Sequence, residues 1–194
     1  MVSVLIMSAG SSSRMGGIDK QLLKLDGKSV LRRSVEAFVG IDQVGEIIVI
    51  TGEATAPKYR ELLKDLPVRV EACGGPTRQQ SVFAGMEKIA SAAEFVAIHD
   101  GARPLVRRED ILRVLSDAEK FGAAVLGVAV KDTIKHVEDG MIRNTPDRSR
   151  LFQVQTPQVF RKKDYLEAME TAKQRGLYFT DDAQPFEQIG KPVR

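Results

Sequence analysis

Stretches that are apolar at consecutive positions alternate along this chain with stretches that are apolar every third or fourth residue. The consecutive runs are Val2–Ser8, Glu46–Thr51, Val68–Ala72, Phe95–His99 and Ala123–Val130. A strand reads this way when both of its faces are covered, which is the condition inside a parallel sheet. Between the runs, Val30/Leu31, Ser34/Val35 and Phe38/Val39 recur at helical spacing. So do Val82, Met86 and Ile89, and later Ile111, Val114/Leu115 and Ala118. Strand, crossover helix and strand in this order predict an α/β architecture with a mostly parallel central sheet, helices on both faces and three layers in all. At 194 residues, 43% of them apolar, the chain supports one core, so a single domain is expected over residues 1–194.

The rhythm breaks between Lys131 and Val154. That block is polar, carries Asp139-Gly140 as a turn signal and ends in the run Leu151–Val154. It reads as a hairpin-like arm, at about residues 132–153, leaving the domain. A helix is then expected over Lys162–Arg175, and a last one near Thr180–Ile189 with Thr180-Asp181-Asp182 as its cap.

Charge and cysteine content exclude several classes. Lysine and arginine outnumber aspartate and glutamate by 29 to 26, and the basic residues are scattered rather than striped with aromatics, so no nucleic acid partner is expected. Cys73 is the only cysteine, which rules out an internal disulfide or a thiolate metal centre and suits a reducing, cytoplasmic location. No apolar run approaches the ~18 residues of a membrane span, so no membrane role is expected.

The loop after the first run, Ala9 to Lys20, falls at the carboxyl end of a strand, where open parallel sheets bind ligands. It is not a P-loop, since no Gly-Lys-Ser/Thr closes it. Nor is it the dinucleotide fingerprint, since Ser12 and Met15 stand where glycines are needed. Its chemistry nevertheless suits phosphate: Gly10 allows close backbone approach, the serines donate, and Arg14 and Lys20 bring two positive charges. A solvated loop with two incidental cations is the alternative reading. Asp100 also ends a run, where its carboxylate could hold a cation beside phosphate or simply close a turn. For a lone Asp-Gly the turn is the better reading. Thr77 precedes a helix and reads as its N-cap, and His99 reads as a structural side chain.

Taken together, the motifs resemble a known family. AGSSSRMG followed by DKQL is similar to nucleotidyltransferases that act on sugar or polyol phosphates. GGPTRQQSV at Gly74–Val82, HDGARP at His99–Pro104, KDTIK at Lys131–Lys135, Asp147-Arg148, QTPQ at Gln155–Gln158 and TDDA at Thr180–Ala183 follow in the order found in 2-C-methyl-D-erythritol 4-phosphate cytidylyltransferases. The resemblance runs over nearly the whole chain. It implies a Rossmann-like nucleotidyltransferase domain that moves CMP from CTP to methylerythritol phosphate, with Mg²⁺ or another divalent cation. A ribitol 5-phosphate cytidylyltransferase, or a nucleotide-binding homologue without catalysis, shares some of these motifs.

The resemblance also assigns roles. Arg14 and Lys20 would contact the triphosphate and stabilise the transition state. Ser8, Ala9, Gly10, Ser11, Gly75, Arg78, Ser81 and Asp100 would bind the nucleotide, with Asp100 also at the metal. Arg103, Thr133, Arg148 and Thr156 would surround the methylerythritol phosphate. The arm would reach a second subunit, making a homodimer in which Arg148 serves the partner's site. Without the resemblance, the arm would read as an exposed hairpin and Arg148 as a surface ion pair worth ~1 kcal/mol or less. Pro76 departs from the family, in which many members carry aspartate. Family members also continue past the position of Arg194 with a further strand and helix, bearing a lysine and an aspartate of the site, so residues beyond Arg194 are expected to have been omitted.

Overall fold

The computed structural model describes residues 1–10 and 19–194. Arg14 and Ser11, both expected in the phosphate loop, lie outside the described residues. The main sheet is built from β1 (Val2–Met7), β4 (Val44–Ile50), β5 (Arg69–Glu71), β6 (Phe95–Asp100), β7 (Ala123–Ala129) and β10 (Phe152–Arg161), in the order β5-β4-β1-β6-β10-β7. The pairs β1–β4, β1–β6 and β4–β5 are parallel, whereas β10 runs antiparallel to both of its neighbours. Five of the six strands therefore point the same way, as the apolar runs predicted.

Helices cover both faces, and the strand period of two decides which side chain meets which layer. Val4 and Ile6 join Leu31 and Val35 of α1 (Val30–Glu36), Phe38 in the turn after it, Tyr59 of α2 (Ala56–Leu62) and Ile111, Val114, Leu115 and Ala118 of α4 (Arg108–Phe121). Leu5 and Met7 join Val82 and Met86 of α3 (Arg78–Met86), Tyr165, Ala168 and Met169 of α5 (Lys162–Gln174) and Phe186 of α6 (Gln184–Gln188). Val4, Leu5 and Ile6 are wholly buried, each contributing about 1.5–3 kcal/mol. That makes β1 the fixed post that Ser8 and Ala9 follow.

Sequence order places this post at a switch point. From β1 the chain crosses to β4 and β5 on one side, then returns to lay β6 on the other. The crevice between the diverging connections opens at the carboxyl ends of β1 and β6, where Ser8 and Asp100 stand.

Several elements differ from expectation. β10 is ten residues long, although its polar Gln155-Thr156-Pro157-Gln158 stretch looks like the end of a strand; pairing with β7 holds Phe152–Val154, and pairing with β6 and β7 resumes at Gln158. The last helix begins at Gln184 with Ala183 at its N-cap, later than the expected Thr180-Asp181-Asp182 cap; Asp181 Oδ1 accepts the Gln184 N–H at 3.0 Å from two residues before the N-cap. Helix α2 and the ribbon of β2 (Lys24–Leu25) and β3 (Lys28–Ser29) were not foreseen, each being short. The ribbon turns on Asp26 and Gly27, both at positive φ, as a tight type I′ hairpin needs. The arm is present as β8 (His136–Glu138) paired with β9 (Met141–Asn144), followed by a single 3-10 turn at Arg148–Arg150.

Candidate active site

Asp100 is the centre of a polar cluster at the carboxyl end of β6. Its Oδ2 accepts from Arg103 Nε at 3.0 Å, and its Oδ1 from Arg78 Nε and Nη2, both at 3.4 Å. Its backbone N–H donates to Thr156 Oγ1 at 3.1 Å. Burial pushes the Asp100 carboxyl up, but the charges of Arg78 and Arg103 outweigh it and hold the group below the ordinary carboxylate range.

Behind it, His99 is fully buried. Its Nε2 lies 3.2 Å from the Arg103 carbonyl and its Nδ1 2.9 Å from Thr156 Oγ1. A carbonyl can only accept, so Nε2 carries the proton and Thr156 donates to Nδ1. The result is a closed circuit. Asp100 N–H donates to Thr156, Thr156 to His99, His99 to the Arg103 carbonyl, and the Arg103 guanidinium returns to the Asp100 carboxylate. Burial pushes the His99 imidazole down to about 4, the state this circuit requires.

Two further strands of contact brace the cluster. Pairing of β10 with β7 is interrupted between Val154 and Gln158, and in that gap Gln155 Oε1 accepts from Arg103 Nη1 beside Thr156. Arg78 also forks onto Asp182, through Nη1 to Oδ1 at 2.8 Å and Nη2 to Oδ2 at 2.6 Å. Burial raises the Asp182 carboxyl above its ordinary value while Arg78 pulls it part of the way back. Tyr165 Oη donates to the same carboxylate at 3.2 Å. Gln155, Tyr165 and Asp182 were not singled out as site residues, although Asp182 lies in the TDDA motif and Gln155 in QTPQ.

The glycine turn lies against the first loop. Gly74 N–H donates to the Thr51 carbonyl at 2.8 Å, and a Cβ on Gly74 would overlap that of Ala9. Glycine here lets the two backbones meet. Ser81 is buried; its Oγ accepts from Gly75 N–H at 3.0 Å and donates to the Thr77 carbonyl at 2.9 Å, so the hydroxyl holds the turn. Thr77 is the N-cap, with Gln80 completing a capping box. On Gly10, by contrast, a Cβ would meet no atom of the described residues within 4 Å.

Lys20 sits inside a turn whose ends are tied by Leu22 N–H to the Asp19 carbonyl at 3.0 Å, with Gln21 N–H on Asp19 Oδ1 at 3.0 Å. The structure therefore brings Asp100, Arg78, Arg103 and Thr156 into contact and sets the Gly74–Ser81 turn beside Ala9. Thr133 and Arg148 are not part of this cluster: both are exposed on the arm, and Arg148 Nη1 donates to the Lys131 carbonyl at 2.7 Å.

As a metal site the donor set is narrow. Among the described residues, no three acidic, histidine or cysteine side chains come together. Asp182 has both oxygens occupied by Arg78. Asp100 keeps acceptor capacity, because each carboxylate oxygen has two lone pairs and the Arg78 contacts are long. This fits Mg²⁺ held by one carboxylate and by substrate phosphates, the ordinary manner for that ion, and fits no all-protein cage.

The mostly parallel sheet with flanking helices is the α/β nucleotidyltransferase fold of the solved structures it resembles. The sequence profile described as 2-C-methyl-D-erythritol 4-phosphate cytidylyltransferase matches residues 2–194, and the chain belongs to that family. A relative of that description from Symbiobacterium thermophilum is 44% identical over 196 residues, spanning all of this chain and 82% of the relative. Among solved structures, the 4-diphosphocytidyl-2C-methyl-D-erythritol synthase of Anaerococcus prevotii superposes with a TM-score of 0.90 at 29% identity, covering all of this chain and 85% of that one. The 2-C-methyl-D-erythritol 4-phosphate cytidylyltransferase of Thermus thermophilus gives 0.81 at 34% identity, covering 99% and 86%.

Proposed function

We propose that this protein transfers CMP from CTP to 2-C-methyl-D-erythritol 4-phosphate, releasing pyrophosphate, as a step of isoprenoid precursor synthesis in the cytoplasm. The observation that carries the reading is the circuit around Asp100. It fixes two guanidinium groups and a carboxylate at the one crevice of the sheet where the glycine turn also meets the first loop. The substrate's phosphate oxygen forms a bond to the α-phosphorus of CTP as the bond to pyrophosphate breaks. With a second pKa of about 6, that phosphate is largely dianionic near neutrality, so no protein group need act as base.

The chain's task is alignment and charge neutralisation. Arg14 and Lys20 take the triphosphate. Ser8, Ala9, Gly10, Ser11, Gly75 and Ser81 would line the cytosine side, where a pyrimidine-sized site would exclude purines. Arg78 holds Asp100 toward the nucleotide, Arg103 and Thr156 face the polyol phosphate, and Thr133, on the arm, would reach it in a second copy. Mg²⁺, held by Asp100 together with phosphate oxygens, would supply positive charge to the triphosphate.

The arm would complete the site of a second copy. Its exposed apolar side chains, among them Val137, Met141, Ile142, Phe152 and Val154, support a homodimer in which Arg148 enters the partner's crevice. The test is pyrophosphate release with CTP, ATP, GTP and UTP against methylerythritol phosphate and ribitol 5-phosphate. CTP with methylerythritol phosphate should turn over, and Lys20→Ala should not. Turnover with ribitol 5-phosphate alone, or a Lys20→Ala variant as fast as the parent, would overturn the reading.

A further inference from the structure

Asp19 is an odd neighbour for a lysine that must meet a triphosphate. Its carboxylate stands one residue from Lys20, where its negative charge repels the same phosphates that Lys20 attracts. The carboxylate is, however, engaged elsewhere. Tyr59 Oη donates into it, lying 3.1 Å from Oδ1 and 3.0 Å from Oδ2, while Oδ1 also accepts the Gln21 N–H at 3.0 Å.

Tyr59 comes from α2, and its ring is 1% exposed in the core layer formed with Ile6, Leu31 and Val49. Only its hydroxyl reaches the loop. Burial, then the Asp19 carboxylate, raises the phenol well above its ordinary range, so the proton needed for this bond stays in place at working pH. The turn that follows is closed by Leu22 N–H on the Asp19 carbonyl, and leads into the β2–β3 ribbon and Ser29, the N-cap of α1. Lys20 is thus the first residue after a point pinned to the core, and the next two backbone N–H groups are bound to the same aspartate.

We infer that Tyr59, acting through Asp19, is a positioning residue for Lys20: its hydroxyl anchors the end of the phosphate loop to α2 and sets where the lysine ammonium stands. The inference rests on the reading in which Lys20 meets the triphosphate. It assigns a role in the reaction to a side chain of the core, on a helix that carries no motif. A lysine whose backbone drifts still attracts CTP through charge, since Coulomb attraction tolerates small displacements. It no longer tracks the charge that develops at the α-phosphorus, where alignment decides the rate.

The experiment uses the intact enzyme with Tyr59→Phe, Asp19→Ala, the two combined, and Lys20→Ala. Tyr59→Phe removes one oxygen and keeps the ring. Each of the first two variants should lower kcat by about tenfold while KM for CTP stays within about threefold, and the double variant should lose no more than either single one. That non-additivity identifies one shared interaction, which a general loss of packing would not produce. Melting temperatures are measured alongside, and if Tyr59→Phe does not fold, Asp19→Ala, whose site is only half-buried, decides the matter. A parent-like kcat in Asp19→Ala, additive losses in the double variant, or a rise in KM with unchanged kcat would each overturn the inference. Parent-like turnover in Lys20→Ala would instead show that the reading of Lys20 itself is wrong.

Discussion

Arg78 holds Asp182 with both arms of its guanidinium, at 2.8 and 2.6 Å, across 104 residues of sequence. The same guanidinium leans on Asp100. One side chain therefore joins the glycine turn, the segment before α6 and the end of β6. Arg78→Met would leave the buried Asp182 carboxylate without its counter-charge. Because the Arg78 side chain is 32% exposed, the cost should fall at the lower end for a broken buried pair, about 3 kcal/mol. Urea unfolding of the variant should show this, and Arg78→Lys, which keeps the charge but loses the fork, should recover only part of it.

His99 gives the fold a dependence on acid. In the unfolded chain it binds a proton as pH falls through 6.5, whereas burial delays this in the folded chain to about 4. Between those values acid favours unfolding. The stability His99 contributes is complete above its unfolded value and lost as pH falls toward 4, an amount of roughly 3 kcal/mol. The depressed carboxyl of Asp100 acts in the same sense, but only as pH enters the carboxylate range. Unfolding midpoints measured from pH about 7 to about 5 should slope downward in the parent, and His99→Gln should flatten that slope.

Gly101 is required by what stands over it. A Cβ there would overlap Ser8 Oγ and lie 3.1 Å from both Gln21 Oε1 and Leu31 Cδ1. All three neighbours are buried. Gly101→Ala should therefore destabilise by about 1–3 kcal/mol, the usual cost of overpacking. Adding Ser8→Ala removes the worst overlap, so the double variant should be more stable than Gly101→Ala alone. Thermal melts of the parent and the two variants check the order.

The parts of the fold legible in the sequence are those where burial on both faces left mostly apolar residues, as in β1, polar only at Ser3, and in β6 before His99. Legibility fails where a strand spends its residues on the site. In β10, Gln155 and Thr156 serve Arg103 and Asp100, and Gln158 Oε1 accepts the Asp182 N–H at 3.0 Å, so an interior strand carries polar side chains and no period of its own. The site follows the same division. Asp100, Arg103 and Arg78 stand in motifs whose residue types suggest charge chemistry. Tyr59 and Tyr165 look like ordinary core positions, because only the last atom of each reaches a carboxylate. Asp182 could have been flagged by its motif, but its pairing with Arg78 spans a sequence distance that no local pattern reports.

The arm supplies the sharpest test of assembly. Arg148 is bonded to the Lys131 carbonyl and takes no part in the Asp100 cluster, and its proposed place is another copy's crevice. Arg148→Ala and Lys20→Ala should each be inactive alone. In a mixed dimer, however, one of the two crevices receives Lys20 from one subunit and Arg148 from the other, both intact. Equal mixing with free exchange makes half of the dimers mixed, so activity should return to roughly a quarter of the parent's. Placing a charge on the apolar face of the arm, as in Ile142→Glu, should shift the protein to monomer in sedimentation and abolish that recovery. Mixtures that stay inactive while subunits are shown to exchange would mean that Arg148 does not cross the interface.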